Sequence, residues 1–169
     1  MPAKDCILDA SILISLGKAG RLDVLGKTRS YRWHVAQMTR QELVKPETRE
    51  PVEQFILDGR IAIVGLDSDD PPGMELLAEW SDRVDPGEAE SIAIALARGW
   101  LIGLEDLQAR RLLDRTVGPG RWINCANVLI DALNAGSLSL PEGEGVFQSL
   151  DVYSSYVKAG VTTLRSLLR

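Results

Sequence analysis

Four acidic residues, Asp9, Glu42, Glu88 and Asp106, stand where short apolar runs give way to helical patterns. Magnesium and manganese prefer carboxylate and water oxygens and need neither thiolate nor imidazole. A cation held by such acids acidifies water and neutralises charge on a phosphoryl transition state, so the chemistry within reach is metal-assisted phosphodiester hydrolysis. The single histidine, His34, follows Trp33 in a strand-like stretch and reads as a packed or surface side chain, which removes histidine-based hydrolysis. Cys6 and Cys125 lie in separate apolar segments and read as small buried side chains, not as a disulfide or a zinc site.

Each acid also has a plainer reading. Asp9 ends an apolar strand, where a carboxylate is costly to bury without a cation or hydrogen bonds, and Ser11 is available to cap the helix that follows. Glu42 closes Thr39-Arg40-Gln41-Glu42, which has the form of a capping box. Glu88 falls at the third helical position after Asp85 and Pro86, where an acid suits a helix start; Glu90 would face another side of that helix. Asp106, like Glu105 beside it, could complement a helix dipole. The functional case rests on coincidence of place, because the order of elements should bring all four acids to one edge of one sheet.

Those elements are legible as alternating short apolar runs and helical patterns. Cys6-Ile7-Leu8-Asp9, Tyr31–Val35, Ile61–Val64 and Leu101–Leu104 read as strands, with Trp122-Ile123 as a further edge strand. Helical spacing follows each: Ser11–Leu16, a short segment at Leu22–Leu25, Val52 to Ile56, Met74 to Trp80 after the polar stretch Asp67–Gly73, Pro86–Ala97 closed by Gly99, Ala109 to Leu113, and Val128 to Leu133 closed by Gly136. The stretch Ile92–Ala97 carries no charge and predicts a helix buried between layers. Pro141 to Gly145 reads as a turn, and Val146 to Leu168 as a mostly helical tail. Alternation of this kind calls for an α/β fold, a three-layer α/β/α sandwich around a central parallel sheet of four or five strands. Residues 1–140 would form this unit, and residues 141–169 a helical extension packed on it.

Composition agrees with one core: 169 residues, 45% of them hydrophobic, suffice for a single domain. Without a signal-like apolar segment, the expected location is cytoplasmic. A net charge of −5 argues against generic affinity for nucleic acid, so any such contact must be local. Arg110, Arg111, Arg115 and Arg121 form a local cluster just beyond Asp106, which a solvated helix face would equally explain.

Taken together these residues resemble the PIN-domain nucleases. Ile7-Leu8-Asp9-Ala10-Ser11 is similar to that family's opening strand and first acid, Arg40-Gln41-Glu42-Leu43-Val44 to its second, and Gly87-Glu88-Ala89-Glu90-Ser91-Ile92-Ala93-Ile94-Ala95 to the helix carrying its third. Leu101-Ile102-Gly103-Leu104-Glu105-Asp106, with Ala109-Arg110, is similar to the strand and fourth acid of that family. The Gly-Glu-Ala-Glu stretch and Lys18-Ala19-Gly20-Arg21-Leu22 resemble one prokaryotic, VapC-like branch. The resemblance spans residues 5 to 136, and the order and spacing of its short motifs are more specific than any one of them.

The resemblance implies a Mg²⁺ or Mn²⁺ site, cleavage of single-stranded RNA, and, for many members, a toxin held inactive by a small antitoxin. Asp9 and Asp106 would bind the metal directly, with Glu42 and Glu88 completing the set and Ser11 supporting it. Two departures stand out. The third acid is usually Asp, which leaves Glu88 and Glu90 both open, and the fourth often comes as an Asp pair where this chain has Glu105-Asp106. A catalytically inactive scaffold binding RNA or a protein is the alternative. A phosphotransfer enzyme with Asp9 as nucleophile ranks lower, because Ser11 stands where a second Asp is expected. Apolar positions in the tail would suit a homodimer.

Overall fold

A computed structural model describes residues 2–67 and 69–168; Met1, Ser68 of the polar connection and Arg169 lie outside the described residues. Five strands form one parallel sheet: β1 (Lys4–Leu8), β2 (Tyr31–Ala36), β3 (Ile61–Val64), β4 (Leu101–Gly103) and β5 (Trp122–Ile123), in the order β3-β2-β1-β4-β5. The chain runs outward from β1 through β2 to β3 and then returns to place β4 on the other side of β1. The order therefore reverses beside β1, and open sheets of this kind bind ligands beyond the carboxyl ends of the strands at such a reversal.

Side-chain alternation along β1 divides the core into two layers. Cys6 and Leu8 point to one face, where they meet Trp33, Val35 and the helices α1 (Ala10–Lys18), α3 (Pro46–Leu57), α7 (Cys125–Asn134) and α8 (Leu140–Ser149). Ile7 points to the other face with Ile102, Trp80 of α4 (Pro71–Ser81), Ile92 and Ile94 of α5 (Pro86–Arg98) and Leu113 of α6 (Leu107–Val117). The expected α/β/α layering with a five-stranded parallel sheet is what the chain forms. Helix α5 is buried as its uncharged run predicts, and it ends at Gly99, whose φ of +68° is the left-handed conformation glycine adopts freely. No helix among the described residues is long and apolar enough to cross a membrane.

Three local readings need correction. Residues 141–145 are not a turn but the first half of α8: Ser139 and Glu142 form a reciprocal capping box, and Pro141 sits in the first turn, where its missing N–H costs nothing. The tail is less continuous than its spacing suggested. Helix α8 stops at Leu150, a short α9 (Tyr153–Lys158) follows, and Leu164–Leu167 is a 3-10 turn. Phe147, Leu150, Tyr156 and Leu164 belong to the same buried cluster as β1 and α1. Finally, α4 starts at Pro71 rather than near Met74, because the Asp70 carboxylate accepts from Gly73 N at 3.2 Å and caps the helix.

Candidate metal centre

The four acids come from four different elements, and the reversal of strand order beside β1 is what brings them together. Asp9 follows β1 directly and Asp106 follows β4, and the Asp9 N–H donates to Gly103 O across the two strand ends at 2.9 Å. Glu42 ends the short α2 (Gln37–Glu42), which continues from β2, and Glu88 lies in the first turn of α5. All four line one cleft of about 620 Å³, together with Ser11, Arg83, Asp85 and Gln108.

Asp9 is itself the N-cap of α1. Its Oδ2 accepts from Ser11 N at 2.9 Å and from Ser11 Oγ at 2.6 Å, so Ser11 supports the carboxylate and does not cap in its place. Asp106 caps α6, its Oδ1 accepting from Ala109 N at 2.7 Å. Neither contact is made through both oxygens: Ser11 leaves Asp9 Oδ1, and Ala109 leaves Asp106 Oδ2. Capping and cation binding are thus compatible at these two positions.

Glu42 departs from its expected local role. Thr39 and Glu42 form no capping box, because β2 passes into α2 at Ala36 and puts Thr39 inside the helix, where its hydroxyl meets Gly87 O and Ser91 Oγ. Glu42 is therefore not a first-turn acid. It lies at the far end of α2 and reaches over to α5, accepting from Gly87 N at 3.1 Å through Oε1. Sequence reasoning did not mark Gly87 as a site residue, yet a Cβ there would lie 2.5 Å from Glu42 Cδ. A glycine one residue before a first-turn acid was the available signal.

Glu88 and Glu90 now separate. Glu88 faces the cleft, whereas Glu90 turns to α2 and accepts from Met38 N at 2.9 Å, satisfying a helix-start donor that Ala36 cannot. Glu105 also leaves the site: 6% exposed, it accepts from Cys125 N at 2.7 Å and from Tyr156 Oη at 2.8 Å. Arg110 is committed too. Its guanidinium donates to the backbone oxygens of Glu105 and Asp106 and lies 4.8 Å over the Trp122 ring. His34 sits in β2, its Nε2 2.8 Å from Asp5 Oδ1 and its ring stacked on Trp100.

The electrostatics of the cleft follow from this crowding. Burial raises the pKa of Asp9, the two Ser11 donors pull it down, and the Asp106 charge pushes it up again. Burial also raises Glu42, against the Gly87 N–H, with Asp9, Asp85 and Glu90 adding repulsion. Glu88 is pushed up to about 8, first by burial and then by Asp9, Asp106, Asp85 and Glu42. Arg83 is the one cation lining the cleft among the described residues, and it is paired with Glu79 at 3.1 Å. A cavity walled by oxygen donors and short of positive charge fits a hard divalent ion. Among the described residues, no three acidic, imidazole or thiol side chains are already closed around one point as a finished ligand set.

No curated protein matches the sequence. Among solved structures, a PilT N-terminus domain protein from the hyperthermophilic archaeon Sulfolobus solfataricus shares 18% identity over 76% of this chain and 93% of its own, with a TM-score of 0.49. A protein from Pyrobaculum aerophilum shares 17% over 80% of this chain and 98% of its own, at 0.48. A family model described as a PIN domain (DUF3368) matches residues 5–161, nearly the whole length, and the chain therefore belongs to the PIN-domain family, whose members are generally nucleases.

Proposed function

We propose that this chain is a divalent-metal-dependent endoribonuclease, hydrolysing phosphodiester bonds of single-stranded RNA with Mg²⁺ or Mn²⁺. The observation carrying the reading is the cleft itself: four carboxylates from four elements, with raised pKa values at Asp9, Glu42 and Glu88 and little positive charge to offset them. Asp9 and Asp106 are the residues that would hold the ion, and Glu42 and Glu88 would complete the set. When bound, such an ion supplies positive charge to the phosphate and a more acidic water. Ser11 fixes the Asp9 rotamer through two hydrogen bonds. Gly87 lets Glu42 lie against the start of α5, and Glu88 can hold or release a proton near neutral pH until a cation displaces it.

Single-stranded RNA is the substrate and the cytoplasm the compartment in this reading. A small antitoxin would be the partner if the protein acts as a toxin, and the exposed Val157 and Leu168 of the tail offer apolar contacts for a homodimer. A second reading, an inactive scaffold that binds RNA or a protein, draws on the capping roles of Asp9 and Asp106, which give both acids a structural use without metal.

Cleavage of a labelled single-stranded RNA across a Mn²⁺ titration tests the choice, comparing the wild type with Asp9→Asn and Asp106→Asn. Asn keeps an oxygen for the cap and removes the charge, so a structural role should survive while the metal role should not. Equal cutting by all three proteins would remove the site. Melting temperatures that ignore Mn²⁺ would favour the scaffold.

A further inference from the structure

The Glu105-Asp106 turn is held from several sides, and one of the groups that hold it comes from the tail. Glu105 N donates to Ser11 Oγ at 3.0 Å, the same hydroxyl that donates to Asp9 Oδ2. The Glu105 carboxylate points the other way into the core, where Oε1 accepts from Cys125 N at the start of α7 and from Tyr156 Oη of α9. Arg110 closes the outside, donating to both carbonyl oxygens of the turn. Tyr156 is therefore tied to the Glu105 side chain, and the Glu105 backbone through Ser11 to Asp9, with Asp106 next in the chain to Glu105.

Its components are placed for rigidity. Tyr156 is 9% exposed, packs edge-on against Phe147 at 4.9 Å, and belongs to the main core cluster. The tail has a second tie to α1, where Asp151 accepts from Ser15 Oγ and Lys18 Nζ, both at 2.7 Å. A buried carboxylate that loses one of its two donors pays a desolvation cost and tends to swing toward water. For Glu105 such a swing would drag the backbone that carries Asp106 and the N–H that fixes Ser11.

We propose that Tyr156 is a positioning residue for the acidic cleft, acting through Glu105 to set the turn that carries Asp106 and the Ser11 hydroxyl that orients Asp9. This rests on the metal-dependent nuclease reading for its catalytic consequence, and on geometry alone for its effect on the turn. Residues beyond 150 thus belong to the working part of the domain, consistent with a family match that continues past Tyr156 to residue 161.

The test compares Tyr156→Phe with Tyr153→Phe, a control in the same short helix whose hydroxyl donates to Thr162 O instead. Three measurements are made: Mn²⁺ affinity by calorimetry, steady-state kinetics giving kcat and KM for single-stranded RNA, and amide exchange at Ser11 and Ala109. Tyr156→Phe should weaken Mn²⁺ binding by about 10-fold, the lower end of what loss of a supporting partner costs, and lower kcat with KM for RNA nearly unchanged. Exchange at both amides should quicken, and Tyr153→Phe should match the wild type throughout. Glu105→Met, which removes the acceptor while keeping the length of the side chain, alone and combined with Tyr156→Phe, should show strong non-additivity, because both changes break one link; it also serves as the readout if Tyr156→Phe folds poorly. Wild-type Mn²⁺ affinity, kcat and exchange in a folded Tyr156→Phe, or additive effects in the double variant, would overturn the proposal and leave the nuclease reading standing. If the wild type neither binds Mn²⁺ nor cuts RNA, the nuclease reading fails by itself. The exchange rates then decide the positioning role: faster exchange in Tyr156→Phe supports it, unchanged exchange ends it.

Discussion

Asp5 and Asp9 are the same residue type at the two ends of one strand, and their surroundings treat them in opposite ways. Asp5 lies opposite Arg32 in the β1–β2 register, accepts two bonds from that guanidinium at 2.6 and 2.9 Å, and has His34 Nε2 at 2.8 Å. Those partners, Arg32 first, hold its carboxyl below the ordinary range despite some burial. Asp9, four residues on, has hydroxyl and amide donors but no cation, and burial with the Asp106 charge pushes it up. One end of the sheet is electrostatically complete and the other is not. Crowding acids without a cation costs stability, and on the proposed reading the carboxyl edge is where a bound ion would offset that cost.

The sharpest way to break that contrast is to remove one charge from each end. Asp9→Asn should lower metal-dependent RNA cleavage by more than roughly 100-fold, beyond what loss of a supporting residue usually costs, whereas Asp5→Asn should cut at the wild-type rate. A comparable fall for both would mean that the two ends do not differ in function. Gly87→Ala probes the same edge by shape. Ala normally favours a helix over Gly, by up to about 1 kcal/mol. Here the added Cβ displaces the Glu42 carboxylate, a flexible group that can move without unfolding the chain. The expected result is a near-normal melting temperature in EDTA and Mn²⁺ affinity lower by about 10-fold, read by calorimetry.

Why sequence locates the acids of the carboxyl edge but not the ties around them comes down to range. The strands were readable because Cys6-Ile7-Leu8 and Leu101-Ile102 are short apolar runs that only a sheet covered on both faces can bury. Asp9 and Asp106 are readable because Asp9 directly follows its run and Asp106 stands two residues after Leu104, which extends the other. Glu42 lines the cleft but not in the local role its spacing suggests: Thr39 three residues before a Glu looks like a capping box, yet a helix starting directly from β2 at Gln37 moves Thr39 inward to face α5. The Ser139–Glu142 pair, by contrast, is a real capping box that Pro141 and the glycines beyond it disguise as a turn. Gly87 against Glu42 and Tyr156 against Glu105 join residues 45 and 51 positions apart, a distance no local pattern reports.

Glu88 gives the contrast a pH signature. Its folded pKa near 8 lies above the unfolded value of 4.5, so the folded chain binds the extra proton more tightly. That contribution to stability is fully present below about 4.5 and is lost as pH rises through about 8; Glu42, also raised, adds in the same direction. Metal-free protein should therefore lose melting temperature between pH 5 and pH 8.5, and Glu88→Gln should flatten that slope. Added Mn²⁺ should restore the wild type at pH 8 more than it restores the Gln variant. A wild-type slope unchanged by Glu88→Gln would show that the cleft is better solvated than its lining suggests.

The smallest effect belongs to the completed end, and its sign is the reverse. Asp5 has a folded pKa below its unfolded one, so its contribution is present above the unfolded value and disappears as pH falls through the folded value. Asp5→Asn should melt slightly below wild type at pH 7 in low salt, and the two curves should converge in acid, where wild-type Asp5 is protonated as well. Because Arg32 is largely exposed, high salt should shrink the difference at pH 7 too. Mn²⁺ should raise both proteins equally, since on the proposed reading the ion would bind at the other end of β1. If instead Asp5→Asn altered the Mn²⁺ response, strand β1 would be transmitting the state of one end to the other, and the two carboxylates would have to be treated as a coupled pair.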